Sequence, residues 1–185
     1  DVPATSALQF VDELENALND LNDDSFCGKI ASGGGRMVIT MDRYDAHWNM
    51  VKRGWATHVK GIGSQLENAT AAIETYRAEN DGIIDQDLPP FVIAENGEPV
   101  GAIKDGDSVV LFNFRGDRAI ELSMAFDNEE FNFFDRGAKP DVVYAGMLQY
   151  DGDLKLPERF LVNPPEIKDT LSELLVSKGM NQFAV

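Results

Sequence analysis

The chain has one cysteine and two histidines in 185 residues. Cys27 cannot close an internal disulfide. It follows Phe26 at the start of an apolar stretch, so it is expected to be a buried, reduced thiol in a reducing compartment rather than a nucleophile. His47 and His58 would share a helix face about 16 Å apart along the axis, too far for one metal ion. Basic residues are scarce: 16 Lys and Arg stand against 32 Asp and Glu, a formal charge of −16. Such a surface repels nucleic acid and anionic membrane, so neither is expected as a partner. A small anion held in a local basic pocket stays open. No apolar run reaches the roughly 18 residues of a membrane span, and no secretory signal opens the chain. A cytoplasmic location is the expectation. The chain starts at Asp1 and stops at "NQFAV", a strand-like pattern cut short, so both ends read as the edges of a fragment.

Common ligand motifs are missing as well. "GIGSQL" lacks the third glycine of a dinucleotide fingerprint, and "SGGGR" lacks the Lys-Ser/Thr of a P-loop. The two "DGD" words, Asp105 to Asp107 and Asp151 to Asp153, do not continue into an EF-hand and read as turns. Asn68-Ala69-Thr70 is a glycosylation sequon by spelling alone. No Ser-His-Asp arrangement can be assigned.

What is present is a globular pattern of 43% apolar residues. "SALQFVDELENALNDL" has a helical stripe, with Ser6 and Gln9 at the spacing of a capping box. "FCGKIASGG" reads as a short buried strand. "AHWNMVKRGWATHVKG" places Trp48, Val51, Trp55 and Val59 on one helical face, and "NATAAIETYRAEN" does the same for Ala69, Ala72, Ile73 and Tyr76. "PFVIAENGEPVGAI" is a hairpin turning at Asn96-Gly97. "DSVVLFNF" is a continuous apolar run of the kind covered on both faces. A helix at "DRAIELSMAF", a strand at "DVVYAGMLQY" and a helix at "IKDTLSELLVSKG" follow. The alternation predicts an α/β fold: a mostly parallel central sheet flanked by helices on both faces, with a β-hairpin excursion.

In such sheets ligands bind beyond the carboxyl ends of the strands. Predicted strands end at Arg36, at Arg115, and at Gln149 and Asp151. Arg43 precedes a predicted helix, and Asp1 stands before the first. If Asp117 caps the next helix, Arg118 lies in its first turn, where a cation is disfavoured by ~0.3–1 kcal/mol. A bound anion would reverse that sign. Pairing of Arg118 with Glu121, or with the plentiful solvent-facing carboxylates, is the alternative.

"GGGRMVITMDRYDAHW", "DLPPFVIAENGEPVGAIKDGDSVVLFNFRGDRAIEL" and "MLQYD", with the opening "DVPATSALQFVDEL", resemble the cofactor-independent (2,3-bisphosphoglycerate-independent) phosphoglycerate mutases. The resemblance runs in order over essentially the whole chain. It implies a two-domain parent enzyme. One domain is alkaline-phosphatase-like, with two divalent metal ions, usually manganese, and a serine that accepts the phosphoryl group. The other is an inserted transferase domain that grips the glycerate, and residues 1–185 resemble that domain alone, with no metal site of their own. By resemblance, Asp1 is a substrate-contacting carboxylate that shuttles a hydroxyl proton, and Arg36, Arg43, Arg115 and Arg118 bind carboxylate and phosphate oxygens. Many members carry proline at the position of Gly116, a departure expected to loosen the loop. The spacing from Arg36 to Arg43 follows the longer, plant-type branch.

The implied substrates are 3-phosphoglycerate and 2-phosphoglycerate, and the implied partner is the phosphatase-like domain of the same chain, in a monomeric parent. The fragment alone is expected to be inactive. Two rival readings remain: a stand-alone phosphometabolite-binding module, and an adhesion module using Arg115-Gly116-Asp117, which would need that tripeptide on an exposed loop tip.

Overall fold

The computed structural model describes residues 2–41, 47–163 and 167–183. In chain order the elements are α1 (Ala7–Leu21), β1 (Ser32–Gly33), α2 (Trp48–Gly54) continuing into a π-helical turn (Trp55–Val59), β2 (Ser64–Leu66), α3 (Ala69–Glu79), β3 (Phe91–Glu95), β4 (Glu98–Pro99), β5 (Ser108–Leu111), α4 (Ile120–Asp127), β6 (Val143–Gly146) and α5 (Leu171–Ser177). Single 3-10 turns lie at Asp85–Asp87 and Gly116–Arg118.

Two strand–helix–strand units organise the chain. In the first, β2 and β3 pair in parallel, Ser64 opposite Phe91 and Leu66 opposite Ile93, and α3 connects them. In the second, β5 and β6 pair in parallel from Ser108–Val143 to Leu111–Gly146, with α4 between them. A helical crossover is what parallel neighbours require, and the fold is α/β. The strands are divided between two sheets. β3 also takes β1 and β4 as antiparallel neighbours, whereas β5 pairs only with β6 among the described strands. The β3–β4 hairpin turns at Asn96 and Gly97, both with positive φ (53° and 82°), the backbone that an Asn-Gly pair tolerates best.

Each unit has its own core. Ala69, Ala72, Ile73 and Tyr76 of α3 lie on Phe91 and Ile93 of β3, with Ala7, Leu8 and Val11 of α1 against them. Val51, Trp55 and Val59 lie on Leu122, Ala125 and Phe126 of α4 and on Tyr144 of β6. Trp55 sits 4.8 Å from the Phe126 ring, and Phe126 stacks on Tyr144 at 4.6 Å. The helical stripes expected of α2 and α3 are therefore the buried faces.

Four local expectations differ from the structure. The reciprocal Ser6–Gln9 cap does not form. Asp85 instead accepts the Ala7 amide at 2.8 Å across 78 residues, while its other oxygen takes Arg77 at 2.7 Å. A carboxylate suits a helix N-terminus. Phe10, Leu14 and Leu21 of the α1 stripe remain exposed. Cys27 is exposed, because only Ser32 and Gly33 of "FCGKIASGG" join a sheet. The apolar run at β5 is covered on one face only: Val109 and Leu111 pack on α4 and β6, whereas Phe112 and Phe114 are 83% and 81% exposed. Among the described residues no helix is long and apolar enough to cross a membrane.

Two predictions follow from this packing. Trp55→Ala should destabilise the chain by about 3–5 kcal/mol in urea denaturation, the usual cost of deleting a buried indole; a loss below about 1 kcal/mol would remove Trp55 from the core. His58, on the π-helical turn, meets Ser32 Oγ through Nδ1 at 2.8 Å. Burial lowers its pKa from the ordinary 6.5. Above that value it is neutral in both states. As pH falls below it, the unfolded chain takes up a proton that the folded chain refuses, and stability drops until the folded pKa is passed. His58→Gln should flatten the fall of the urea midpoint between pH 7.5 and 5.5; an unchanged slope would show that His58 titrates normally.

Candidate functional site

The site is built where β5 ends. After Leu111 the chain bends sharply, with the Asn113 amide donating back to the Leu111 carbonyl at 2.9 Å. Asn113 Nδ2 donates to the Arg115 carbonyl at 2.7 Å, which fixes the backbone on which Arg115 is carried. Arg115 itself is extended (φ −89°, ψ 128°) and exposed. Gly116–Arg118 then make one 3-10 turn, closed by the Ala119 amide on the Gly116 carbonyl at 2.9 Å.

The expected cap at Asp117 is not made. Ala119 is the residue before α4 and caps nothing with its side chain, so Arg118 stands outside the α-helix rather than in its first turn. Its guanidinium is half-buried and turns sideways: Nη1 donates to the Met41 carbonyl at 2.9 Å. Among the described residues no ion pair joins Arg118 to Glu121, which is buried in the first turn of α4.

Arg36 lies on a segment pinned by Gly35 N–H to the Leu88 carbonyl (2.8 Å) and Met37 N–H to the Gln86 carbonyl (2.9 Å). Its Nε donates to Gln86 Oε1 at 2.6 Å. Four residues on, Thr40 has φ 69°, a left-handed backbone unusual for a β-branched residue. The Met41 amide closes that turn on the Ile39 carbonyl at 2.7 Å. Thr40 Oγ1 is buried, has no hydrogen-bond partner among the described residues and presses on Gly54, where any Cβ would collide with it. The turn therefore sets the direction of the Met41 carbonyl that Arg118 meets.

Arg36, Thr40 and Met41 line the same cavity of about 350 Å³ as Val109–Leu111 of β5. Its other walls are apolar, apart from His58. The 36–41 segment thus carries Arg36 at one end and, at the other, the Met41 carbonyl that Arg118 meets; Arg115 is exposed. Asp1 and Arg43 lie outside the described residues. Gln149 and Asp151 supply no charge to this place. Asp151 Oδ1 instead accepts the amides of Asp153 and Leu154 at 2.9 and 2.8 Å, a turn, and Asp107 does the same for Lys104. Among the described residues no group of three His, Cys, Asp or Glu side chains could hold a metal ion.

Arg115-Gly116-Asp117 is not a loop tip. Gly116 and Asp117 are half-buried, and a Cβ at Gly116 would lie 2.8 Å from the Tyr150 carbonyl oxygen. A side chain at that position requires the facing segment to shift. Sequence reasoning missed Thr40, Asn113 and Tyr150, whose contributions are turns and backbone hydrogen bonds with no characteristic spacing.

A family model described as "BPG-independent PGAM N-terminus" matches residues 1–152. A probable 2,3-bisphosphoglycerate-independent phosphoglycerate mutase of Leptospira interrogans is 60% identical over 185 residues, which is 100% of this chain and 34% of that protein. The 2,3-bisphosphoglycerate-independent phosphoglycerate mutase of Trypanosoma brucei brucei is 50% identical over 186 residues, again 100% of this chain and 34% of its own length. Among solved structures, a phosphoglycerate mutase of Leishmania mexicana, determined at low cobalt concentration, superposes with a TM-score of 0.89 at 48% identity. That match covers 97% of this chain and 33% of the other. The chain spans about a third of the length of these relatives, and it belongs to the BPG-independent phosphoglycerate mutase family, matching the family's N-terminal part.

Proposed function

We propose that residues 1–185 form the glycerate-gripping transferase domain of a two-domain phosphoglycerate mutase that interconverts 3-phosphoglycerate and 2-phosphoglycerate. One observation carries the reading: the Arg118–Met41 hydrogen bond joins the "FRGDR" turn to the segment that leads into "MDR". The turn that carries Arg115 and Arg118 is thereby tied to the segment that carries Arg36, in a chain with net charge −16.

In this reading the phosphoryl group passes from 3-phosphoglycerate to a serine outside this chain, leaving glycerate held by Arg36, Arg43, Arg115 and Arg118. Glycerate then reorients, and its other hydroxyl takes the group back. The task of the arginines is to keep the intermediate from escaping and to fix its carboxylate by paired N–H donors, which set orientation as well as charge. Asp1 takes and returns the hydroxyl proton. Divalent metal ions, in this family manganese as a rule, would stabilise charge on the transferring group in the parent enzyme. The described residues offer no ligand set for them, and no step assigned to this chain passes through them.

Two measurements test the proposal. In the complete parent enzyme Arg115→Ala should lower turnover of 3-phosphoglycerate by at least about a hundredfold, as expected when a positioning donor is lost. Near-normal turnover would overturn it. The isolated chain, lacking the serine, should leave 3-phosphoglycerate unchanged by ³¹P NMR, and unaided conversion to 2-phosphoglycerate would be the contrary result.

A further inference from the structure

Tyr150 follows β6 in the "MLQYD" stretch, and none of the steps above uses it. Its ring passes over Gly146, where a Cβ would lie 2.7 Å from Tyr150 Cε2. The ring thus reaches under the end of β5. There its hydroxyl meets three backbone groups: the Met147 amide at 3.0 Å, the Leu111 carbonyl at 2.9 Å and the Asn113 carbonyl at 2.8 Å. A phenol has one proton and oxygen lone pairs. It accepts from Met147 and shares its proton between the two carbonyls. Those carbonyls flank Phe112 at the bend between β5 and Arg115, and Asn113 passes the restraint on through its own side chain to the Arg115 carbonyl. The Tyr150 carbonyl, in turn, is the surface against which Gly116 is seated. One residue therefore holds the Arg115 turn from two sides.

We propose that Tyr150 is a positioning residue for substrate binding, its hydroxyl fixing the bend after β5 so that Arg115 and Arg118 are presented in one orientation. The inference rests on the substrate reading given above. It adds to that reading a residue that touches no substrate. Burial raises the phenol's pKa, so the hydroxyl stays protonated and able to donate throughout the neutral range.

The test uses the complete parent enzyme and compares Tyr150→Phe with Tyr76→Phe. Tyr76 is also a packed tyrosine with its hydroxyl on a backbone carbonyl, that of Pro90 at 3.0 Å, but it lies in the other core. A merely structural hydroxyl lowers thermal stability in either variant. Positioning adds a kinetic effect: Tyr150→Phe should lower kcat/KM for 3-phosphoglycerate by about tenfold to a hundredfold, chiefly through KM. Tyr76→Phe should stay within about twofold of the parent. Asn113→Ala, which removes the next link without opening a core, should raise KM in the same direction and serves if Tyr150→Phe does not fold. Kinetics of Tyr150→Phe or Asn113→Ala indistinguishable from the parent, with Arg115→Ala inactive, would overturn the positioning role and leave the substrate reading standing. Normal turnover by Arg115→Ala would overturn both.

Discussion

A guanidinium that is to bind a small anion must be held in place without being neutralised. The constraint is severe where acidic residues outnumber basic ones two to one. Several of the cations that join structural elements do so by charge pairing: Arg77 on Asp85, Lys29 on Glu95, Lys139 on Glu129. Arg118 and Arg36 are anchored on neutral oxygens instead, the Met41 carbonyl and the Gln86 amide. A neutral acceptor orients one N–H and leaves the positive charge and the remaining donors of the fork available. Neutral anchoring alone does not mark a binding residue. Arg136 donates to the carbonyls of Ala125, Asn128 and Glu129 and lies 4.6 Å over the Phe131 ring, which makes it the lock on the end of α4. The difference lies in valence: Arg136 spends two nitrogens on three carbonyls, whereas among the described residues Arg118 spends one on Met41.

The fold was legible in much of its local pattern, although the Ser6–Gln9 spacing, also local, forms no cap. The α3 stripe was read from its spacing and is the buried face. Its cap, Asn68 on the Ala71 amide, and the capping box of α5 between Thr170 and Glu173 are local too, but were not among the expectations. The Asn96-Gly97 turn and the strand–helix alternation likewise depend on neighbours within a few residues. Legibility failed where a distant residue supplied the partner. Asp85 caps α1 from 78 residues away, and no spacing rule connects Ser6 to it. The run "VVLFNF" is uniformly apolar, so its composition does not reveal that one face lies open at Phe112 and Phe114. The division into two sheets was equally hidden, because pairing order is a property of edges rather than of any one strand.

At the candidate site the sequence identified side-chain chemistry and missed the backbone beneath it. Arginines at strand ends can be named from pattern and resemblance. The devices that aim them cannot. Thr40 contributes a left-handed turn, Tyr150 a hydroxyl directed at main-chain groups, and Gly116 a space left for the Tyr150 carbonyl. None of these has a periodicity. Each becomes visible only when segments far apart in the chain lie side by side.

The placement of Arg118 also changes the physical reason for expecting an anion. A cation inside the first turn of an α-helix would oppose the macrodipole, and a bound anion would relieve that opposition. Arg118 lies in the 3-10 turn before Ala119, and its guanidinium turns away from the α4 amides toward Met41. The first turn of α4 holds Glu121, the sign the dipole favours. The helix therefore needs no anion to satisfy it. The case for one rests on the guanidinium: it is half-buried and oriented by the neutral Met41 oxygen, and among the described residues no ion pair joins it to Glu121. A half-buried cation gains from a negative partner, and a guanidinium can bind a small acidic group by paired N–H donors.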